Sequence, residues 1–566
     1  MKPLDLLVHN AQIADVVRLR LYRGWVGIAQ GQFCYVEAGE PPAGVTAQTI
    51  LDAAGLILAP GLIDAHMHVE SSLTSPRRFA EAVIPHGTTA ILADPHEIAN
   101  VLGARGIRWM MEAAKGLPLR TFTAIPSCVP ATDRSLETVL GSISADNVRE
   151  LAGEPEVIAL GELMDYQGLA MGSSQLEGLI AAAREAGLLL EGHTPTLLGP
   201  TLSDYTAHGI TSDHTLSTPE KLLEQLTKGY TVMLQAKSLN ARVVEAVREL
   251  PERSRVLLTT DDVMPNQLHR GHMSSLIQMV TELGWDPMDA LASATLRPAT
   301  YLRRSELGVV APGRRADFLL LEGLTTFPPA AVYVDGQKVA EGGTSLFDLP
   351  PPPAPPVGGE LRRRPFRPAD FHFQISDGPH TINLMAMNQS NTFTALETRP
   401  VRFAGGQPET GENLMTVAVL MRQGDGPAAL GLLANYGLSE GAFASTLAHD
   451  SHNFIVAGRS AEAMAEAANR VLELGGGMSL VAGDQTYDLA LPIVGLLSDE
   501  PVAATGAQFE RMEQALRQRG VQHAYPVLFL TLLALTVSPA VKMSDRGLVD
   551  VERRRLMKVV EGGPSA

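Results

Sequence analysis

Short apolar runs alternate with amphipathic stretches through the first part of the chain. The runs cover residues 56–63, 88–93, 120–125, 157–160, 188–191, 210–212, 230–234 and 256–260, and the stretches between them include 176–186 and 219–228. Strand and helix alternating in this way predict an α/β fold with a parallel sheet, and eight repeats point to a (β/α)8 TIM-like barrel. A doubly wound open sheet has the same local pattern, so periodicity leaves both open, and the residues at the strand ends must decide.

Residues 1 to about 55 read as short strands with Gly and Pro turns, and residues 308–321 and 332–339 are strand-like again, with Asp335-Gly336 a strong hairpin signal. These two ends are predicted to pair into one small β domain, residues 1–57 with 306–345, beside a barrel of residues 58–305. The proline-rich segment 349–359 favours an extended, semi-rigid spacer over a packed element. It sets a linker at 346–364 and leaves residues 365–566 as a C-terminal α/β domain of usual size.

Composition narrows the class. A chain of 566 residues is too long for one ordinary core, and 45% hydrophobic with 19% charged residues is the range of a folded soluble protein. The formal net charge of -17 repels phosphate backbones and argues against nucleic acid. The short basic run Arg362-Arg363-Arg364 reads as solvated linker. Two cysteines, Cys34 and Cys128, exclude a disulfide framework and a Cys-rich zinc site and fit a reducing cytoplasm. No secretory signal is supported, and the expected location is cytoplasmic. Residues 524–541 are largely apolar but carry Pro526, Thr531, Thr536, Ser538 and Pro539, so they read as core and not as a membrane span.

The chemistry begins at His66-Met67-His68. Alternate strand residues point to one side, so two imidazoles can face one point, and barrel enzymes place their sites at the C-terminal ends of strands. Polar residues recur at successive predicted strand ends: Glu162 in the fourth, His193 in the fifth, His214 in the sixth and Asp261 in the eighth. Any one of them could be a satisfied polar residue. Four histidines and two carboxylates in this order supply N and O ligands for two metals sharing a carboxylate. After the second strand, His96-Glu97 fits a polar cap as well as a site role, and the alternation of Asp94 with His96 leaves room for an accessory metal. For His449, Asp450 and His452 a domain-interface or structural role is the default. Gly-x-Ser-x-Gly is absent, and with no Cys-x-x-Cys the His-x-Glu zinc deaminases are excluded.

The order His-x-His, Glu, His, His, Asp resembles the amidohydrolase superfamily. Longer blocks resemble adenine deaminases over nearly the whole chain. They are Pro60-Gly-Leu-Ile-Asp-Ala-His-Met-His-Val-Glu-Ser-Ser72, Gly87-Thr-Thr-Ala-Ile-Leu-Ala-Asp-Pro-His-Glu-Ile-Ala-Asn100, Pro126-Ser-Cys-Val-Pro-Ala-Thr132, Gly161-Glu-Leu-Met-Asp165, Ala448-His-Asp-Ser-His-Asn453 and Leu491-Pro-Ile-Val-Gly-Leu-Leu-Ser-Asp499. The resemblance implies an amidohydrolase-type barrel and a homo-oligomer. It also implies two divalent ions, manganese or iron in the usual case and zinc as a further option. His66, His68 and Asp261 would hold one ion, and His193 and His214 the other, with Glu162 bridging. It further implies hydrolysis of adenine to hypoxanthine and ammonia in purine salvage. A bound divalent cation lowers the pKa of water to about 7, and Asp261 would accept its proton and pass it to the departing amine. Glu70, His96 and Glu97 are candidates for protonating a ring nitrogen. Gln235, Ser238 and His272 are further candidates around the substrate.

The resemblance departs on the seventh strand. The family pattern Ile-Arg-Glu-Gly-Ser is replaced by Leu234-Gln-Ala-Lys-Ser238, and acidic positions near Pro265 and after His272 have become Asn266 and Ser274. Lost hydrogen-bonding groups can change selectivity strongly. Two alternatives therefore stand beside adenine deamination: a deaminase or cyclic-amide hydrolase acting on another aminopurine or amino-heterocycle, and a non-catalytic purine-binding member.

Overall fold

A computed structural model describes residues 3–409, 411 and 413–561. Eight strands follow the predicted runs: β1 (Leu62–Met67), β2 (Thr88–Ala93), β3 (Arg120–Ile125), β4 (Val157–Leu163), β5 (Leu189–Gly192), β6 (Ser212–Asp213), β7 (Thr231–Leu234) and β8 (Val256–Leu258). They pair in parallel as a five-stranded sheet β5-β4-β3-β2-β1 and a three-stranded sheet β6-β7-β8. Every residue of β1, β2 and β4 is buried. Burial on both faces is why these strands read as unbroken apolar runs, not as alternating ones. The sheets meet at both edges. Met67 bridges to Asp261, and the Gly192 amide donates to Ser212 Oγ at 3.2 Å. Asp64 ties β1 to the segment after β8, accepting from Thr259 Oγ1 at 2.6 Å and Thr260 Oγ1 at 2.5 Å.

The run 56–63 divides. Ile57–Pro60 is antiparallel to Phe318–Leu321 in a nine-stranded sheet built from residues 4–60 and 318–345. The expected boundary at 57/58 therefore moves to Gly61. A Cβ there would lie 2.1 Å from Thr89 Oγ1, so only glycine lets the chain pass from one sheet to the other. The run 210–212 contributes less strand than its apolar character suggests, since only Ser212–Asp213 pairs with β7. The proline-rich segment is extended and held on helices Pro76–Val83 and Ala104–Ala113, with Trp109 Nε1 donating to Ala354 O at 2.9 Å and Arg77 Nη1 to Pro350 O at 2.6 Å.

Beyond it, residues 378–490 form a second nine-stranded sheet covered by helix Ala461–Glu473. Helix Val502–Gln518 follows, and residues 526–534 are short buried helical turns. No helix among the described residues is long and apolar enough to cross a membrane. This C-terminal part packs over the strand ends. Ser75 and Arg77 bond Asp499, and Asn266 donates to Glu510 at 2.7 Å. That contact gives one departure on the eighth-strand loop a docking role.

Candidate metal centre

The C-terminal ends of β1, β4, β5, β6 and β8 and the residues just after them bring six donors together. His66 and His68 alternate along β1 as the strand period requires. The His66 ring places Nδ1 2.9 Å from Glu191 Oε2, and the Tyr301 hydroxyl donates to the other Glu191 oxygen at 3.0 Å. A carboxylate at Nδ1 fixes the proton there and turns the Nε2 lone pair inward, the usual arrangement behind a metal-ligating imidazole. His66 Nε2 is buried with no hydrogen-bond partner among the described residues. His68 is oriented in the same way. Its Nδ1 donates to the Asp94 carbonyl at 2.9 Å, while Nε2 lies 3.4 Å from both Glu162 Oε1 and Asp261 Oδ1.

Glu162 sits at the middle. Its Oε2 is 3.0 Å from His214 Nε2 and 2.5 Å from His193 Nδ1, and its amide donates to Asp94 Oδ2 at 3.1 Å. Gly161 makes that last contact possible, because a Cβ there would lie 2.0 Å from the same Asp94 oxygen. Burial alone would raise the Glu162 carboxyl, but the His193 and His214 rings hold it well below the usual range. Asp261 has a positive φ of 59°, a strained setting for a non-glycine residue that aims its carboxylate at His68. Burial again works against its charge, and contact with His68 together with the His214 ring holds it ionised. Gln235 Nε2 donates to Asp261 Oδ2 at 2.8 Å and to the His214 carbonyl at 2.9 Å.

These residues fit divalent ions. His66, Glu162 and His214 form one compact donor set and His66, His68 and Asp261 another, each with ligand atoms within 4.8 Å of one another. His214 Nε2, like His66 Nε2, is buried without a hydrogen bond among the described residues, as expected of nitrogens that serve a cation. His193 stands at the edge of both sets, touching Glu162 with its side chain 26% exposed. Lys237 and Asp262, 3.8 Å apart, are also partly exposed.

Other sequence candidates divide. Glu70 is fully buried within reach of the Ile98 amide, and burial, with the Glu97 charge beside it, pushes its carboxyl up to about 7. His96 lies against His68 with ring centroids 4.5 Å apart. Glu97 is engaged by the C-terminal part: His449 Nδ1 is 2.9 Å from Oε1, and His452 Nε2 touches Oε2. The interface role expected by default for His449, Asp450 and His452 is thus incomplete, because they dock at the rim of the donor cluster itself. Two candidates lie outside it. His272 sits beneath β1, bonded to Thr88 and Thr260 and 3.4 Å from Asp64, and burial beside His86 pushes its ring down to about 3. Ser238 accepts from the Ser217 amide at 3.0 Å, a loop-holding role.

Sequence reasoning passed over Glu191 and Tyr301. A carboxylate inside the apolar fifth run, two residues before His193, was the available signal for Glu191. Tyr301 carries none, being far along the chain.

An amidohydrolase family model matches residues 57–339, and a model of the adenine deaminase C-terminal domain matches residues 391–555. The adenine deaminase of Desulfatibacillum aliphaticivorans is 35% identical over 568 residues, 99% of this chain and 98% of its own length. Adenine deaminase 2 of Carboxydothermus hydrogenoformans is 36% identical over 557 residues, 97% of this chain and 96% of its own. Among solved structures, an enamidase matches at 18% identity with a TM-score of 0.47, over 60% of this chain and 96% of that one. With both family models matched and full-length relatives at this identity, the chain belongs to the adenine deaminase family of amidohydrolases.

Proposed function

We propose that this protein hydrolyses adenine to hypoxanthine and ammonia, in purine salvage, at a two-metal centre held by His66, His68, Glu162, His193, His214 and Asp261. The observation that carries the reading is the convergence of His66, His68, Glu162, His214 and Asp261 in the buried interior, with His193 against Glu162 at the edge, in a chain belonging to this family. The two parallel sheets are then halves of one (β/α)8 barrel, closed through the Met67–Asp261 bridge and the Gly192–Ser212 seam. Manganese or iron suits an imidazole and carboxylate donor set, as zinc also does. Two such ions, when bound, would lower the pKa of water to about 7 and would so supply a nucleophile at neutral pH.

The chain's own groups do the rest. Asp261, ionised and held by Gln235, takes a proton from the attacking water and returns it to the departing amine. Glu70 is the best placed to protonate a ring nitrogen. Burial, with the Glu97 charge beside it, raises its carboxyl to about 7, and Oε2 is buried with no partner among the described residues. Glu97, held ionised by two histidines, is a poor acid. Purine enters past His193, Lys237 and Asp262, the partly exposed groups at the strand ends.

A second reading is deamination or ring opening of another amino-heterocycle, and the segment Gln235-Ala236-Lys237 favours it. Ammonia release from adenine by protein loaded with manganese or ferrous iron tests the first, with Asp261→Asn as the blank. No turnover from a protein that still binds two metals would remove adenine as the substrate and favour the second.

A further inference from the structure

At the seam between the barrel and the C-terminal domain lies another cluster of ligating side chains. His96 and Glu97 follow β2, and His449 and Asp450 come from the C-terminal domain. His96 Nε2 is 3.5 Å from Glu97 Oε1 and 3.8 Å from Asp450 Oδ1, while His449 Nδ1 is 2.9 Å from Glu97 Oε1 and 3.9 Å from Asp450 Oδ1. A tetrahedral ion with bonds of about 2.0–2.2 Å needs donors roughly 3.3–3.6 Å apart, and these separations bracket that spacing. We propose that His96, Glu97, His449 and Asp450 hold a third divalent transition-metal ion that ties the C-terminal domain to the barrel.

Two further observations support the site over a hydrogen-bonded cluster. Both Glu97 oxygens and Asp450 Oδ2 are buried without a hydrogen bond of ordinary geometry among the described residues, although imidazole nitrogens stand close by. Glu97 Oε1 faces His96 Nε2 and His449 Nδ1 together, as a shared ligand would. Charge points the same way. Glu97 and Asp450 are both buried, and a carboxylate out of water is stabilised by a cation beside it. His452, which touches the second Glu97 oxygen, orients that carboxylate from behind.

The set adjoins the catalytic donors through His96, which also stands within reach of His68 and Glu162. His96 turns its other nitrogen, Nδ1, toward Glu162 Oε1 at 3.6 Å and offers Nε2 to the seam. A mixed nitrogen and oxygen set of this kind suits zinc or manganese. Neither domain alone provides it.

Anomalous diffraction above and below the zinc edge, on crystals of the full-length protein grown with zinc and washed, tests the assignment. The expected result is a zinc peak within bonding distance of His96 Nε2 and His449 Nδ1, resolved from any peak at His66 and Glu162. His449→Ala should abolish this peak alone and lower bound zinc in dialysed protein by about one ion per chain. Asp450→Asn serves in the same way if the alanine variant does not fold. Ordered side chains with no peak between them would overturn the proposal, as would unchanged zinc content in a folded variant. Because each ion is located individually, failure of the two-metal reading would leave this result unaffected.

Discussion

Replacing Gln235 by leucine should cripple the enzyme without unfolding it. The side chain donates to Asp261 Oδ2 at 2.8 Å and to the His214 carbonyl at 2.9 Å, and it is 5% exposed, so water cannot readily take its place. Leucine keeps the volume and removes both donors. A hydrogen bond to a charged acceptor contributes about 1.5–3 kcal/mol. Because it favours the ionised carboxylate, its loss raises the Asp261 pKa by roughly 1–2 units. A group that must be ionised to accept a proton is then protonated over a wider acidic range. That range lies below pH 5, because His68 and His214 hold Asp261 well below the usual carboxylate range, so the kcat/KM profile should keep its shape between pH 5 and 9. Weaker orientation of Asp261 and His214 should lower kcat at the pH optimum by about 10- to 100-fold. The assay is ammonia release across pH 5 to 9, with metal content measured on the same preparations. A kcat that matches the wild type across this range, with metals intact, would refute the assignment of Gln235 as the residue holding the base. It would also make the altered seventh strand irrelevant to the proton transfer.

Other expectations follow from neighbouring contacts. Glu191→Gln removes the carboxylate that fixes the His66 tautomer, and metal affinity should fall by about 10- to 100-fold in a chelator competition; unchanged affinity would show that Glu191 plays no part in orienting the ligand. Glu70→Gln should lower kcat by about 10²- to 10⁴-fold, the usual contribution of a general acid, and abolish the pH dependence near 7. A full-speed variant would return the role to His96. Lys542 is buried in the C-terminal domain with Nζ 3.3 Å from the Thr392 carbonyl, and burial pushes it down to about 7. Its unfolded pKa is higher, so the burden of its charge is full below pH 7 and is relieved as pH rises toward 10.5. Urea unfolding should show about 2 kcal/mol of added stability between pH 7 and 9 from this group. Lys542→Met should flatten that rise, and an unchanged slope would exclude the group as its source.

The chain's own pattern determined the strand run and the donors. Period-two alternation is local geometry, so His66 and His68 could be read as neighbours on one face. Glu162, His193, His214 and Asp261 were legible because each closes an apolar run, where a parallel strand exposes its end. Tertiary structure alone decided the rest. Gly61 divides a continuous apolar run because Thr89, on the next strand, leaves no room for a Cβ. His272 reads like a site residue and lies beneath β1, because the turn after β8 folds it onto Asp64 and not outward. Glu191 became the orienting partner of His66 only when β5 and β1 were brought across the interior. His449 and Asp450 reach His96 and Glu97 through the docking of a separate domain. Local periodicity specifies which way a side chain points from its own element. It carries no information on which distant element will stand opposite, and that is set by the packing of whole sheets and domains.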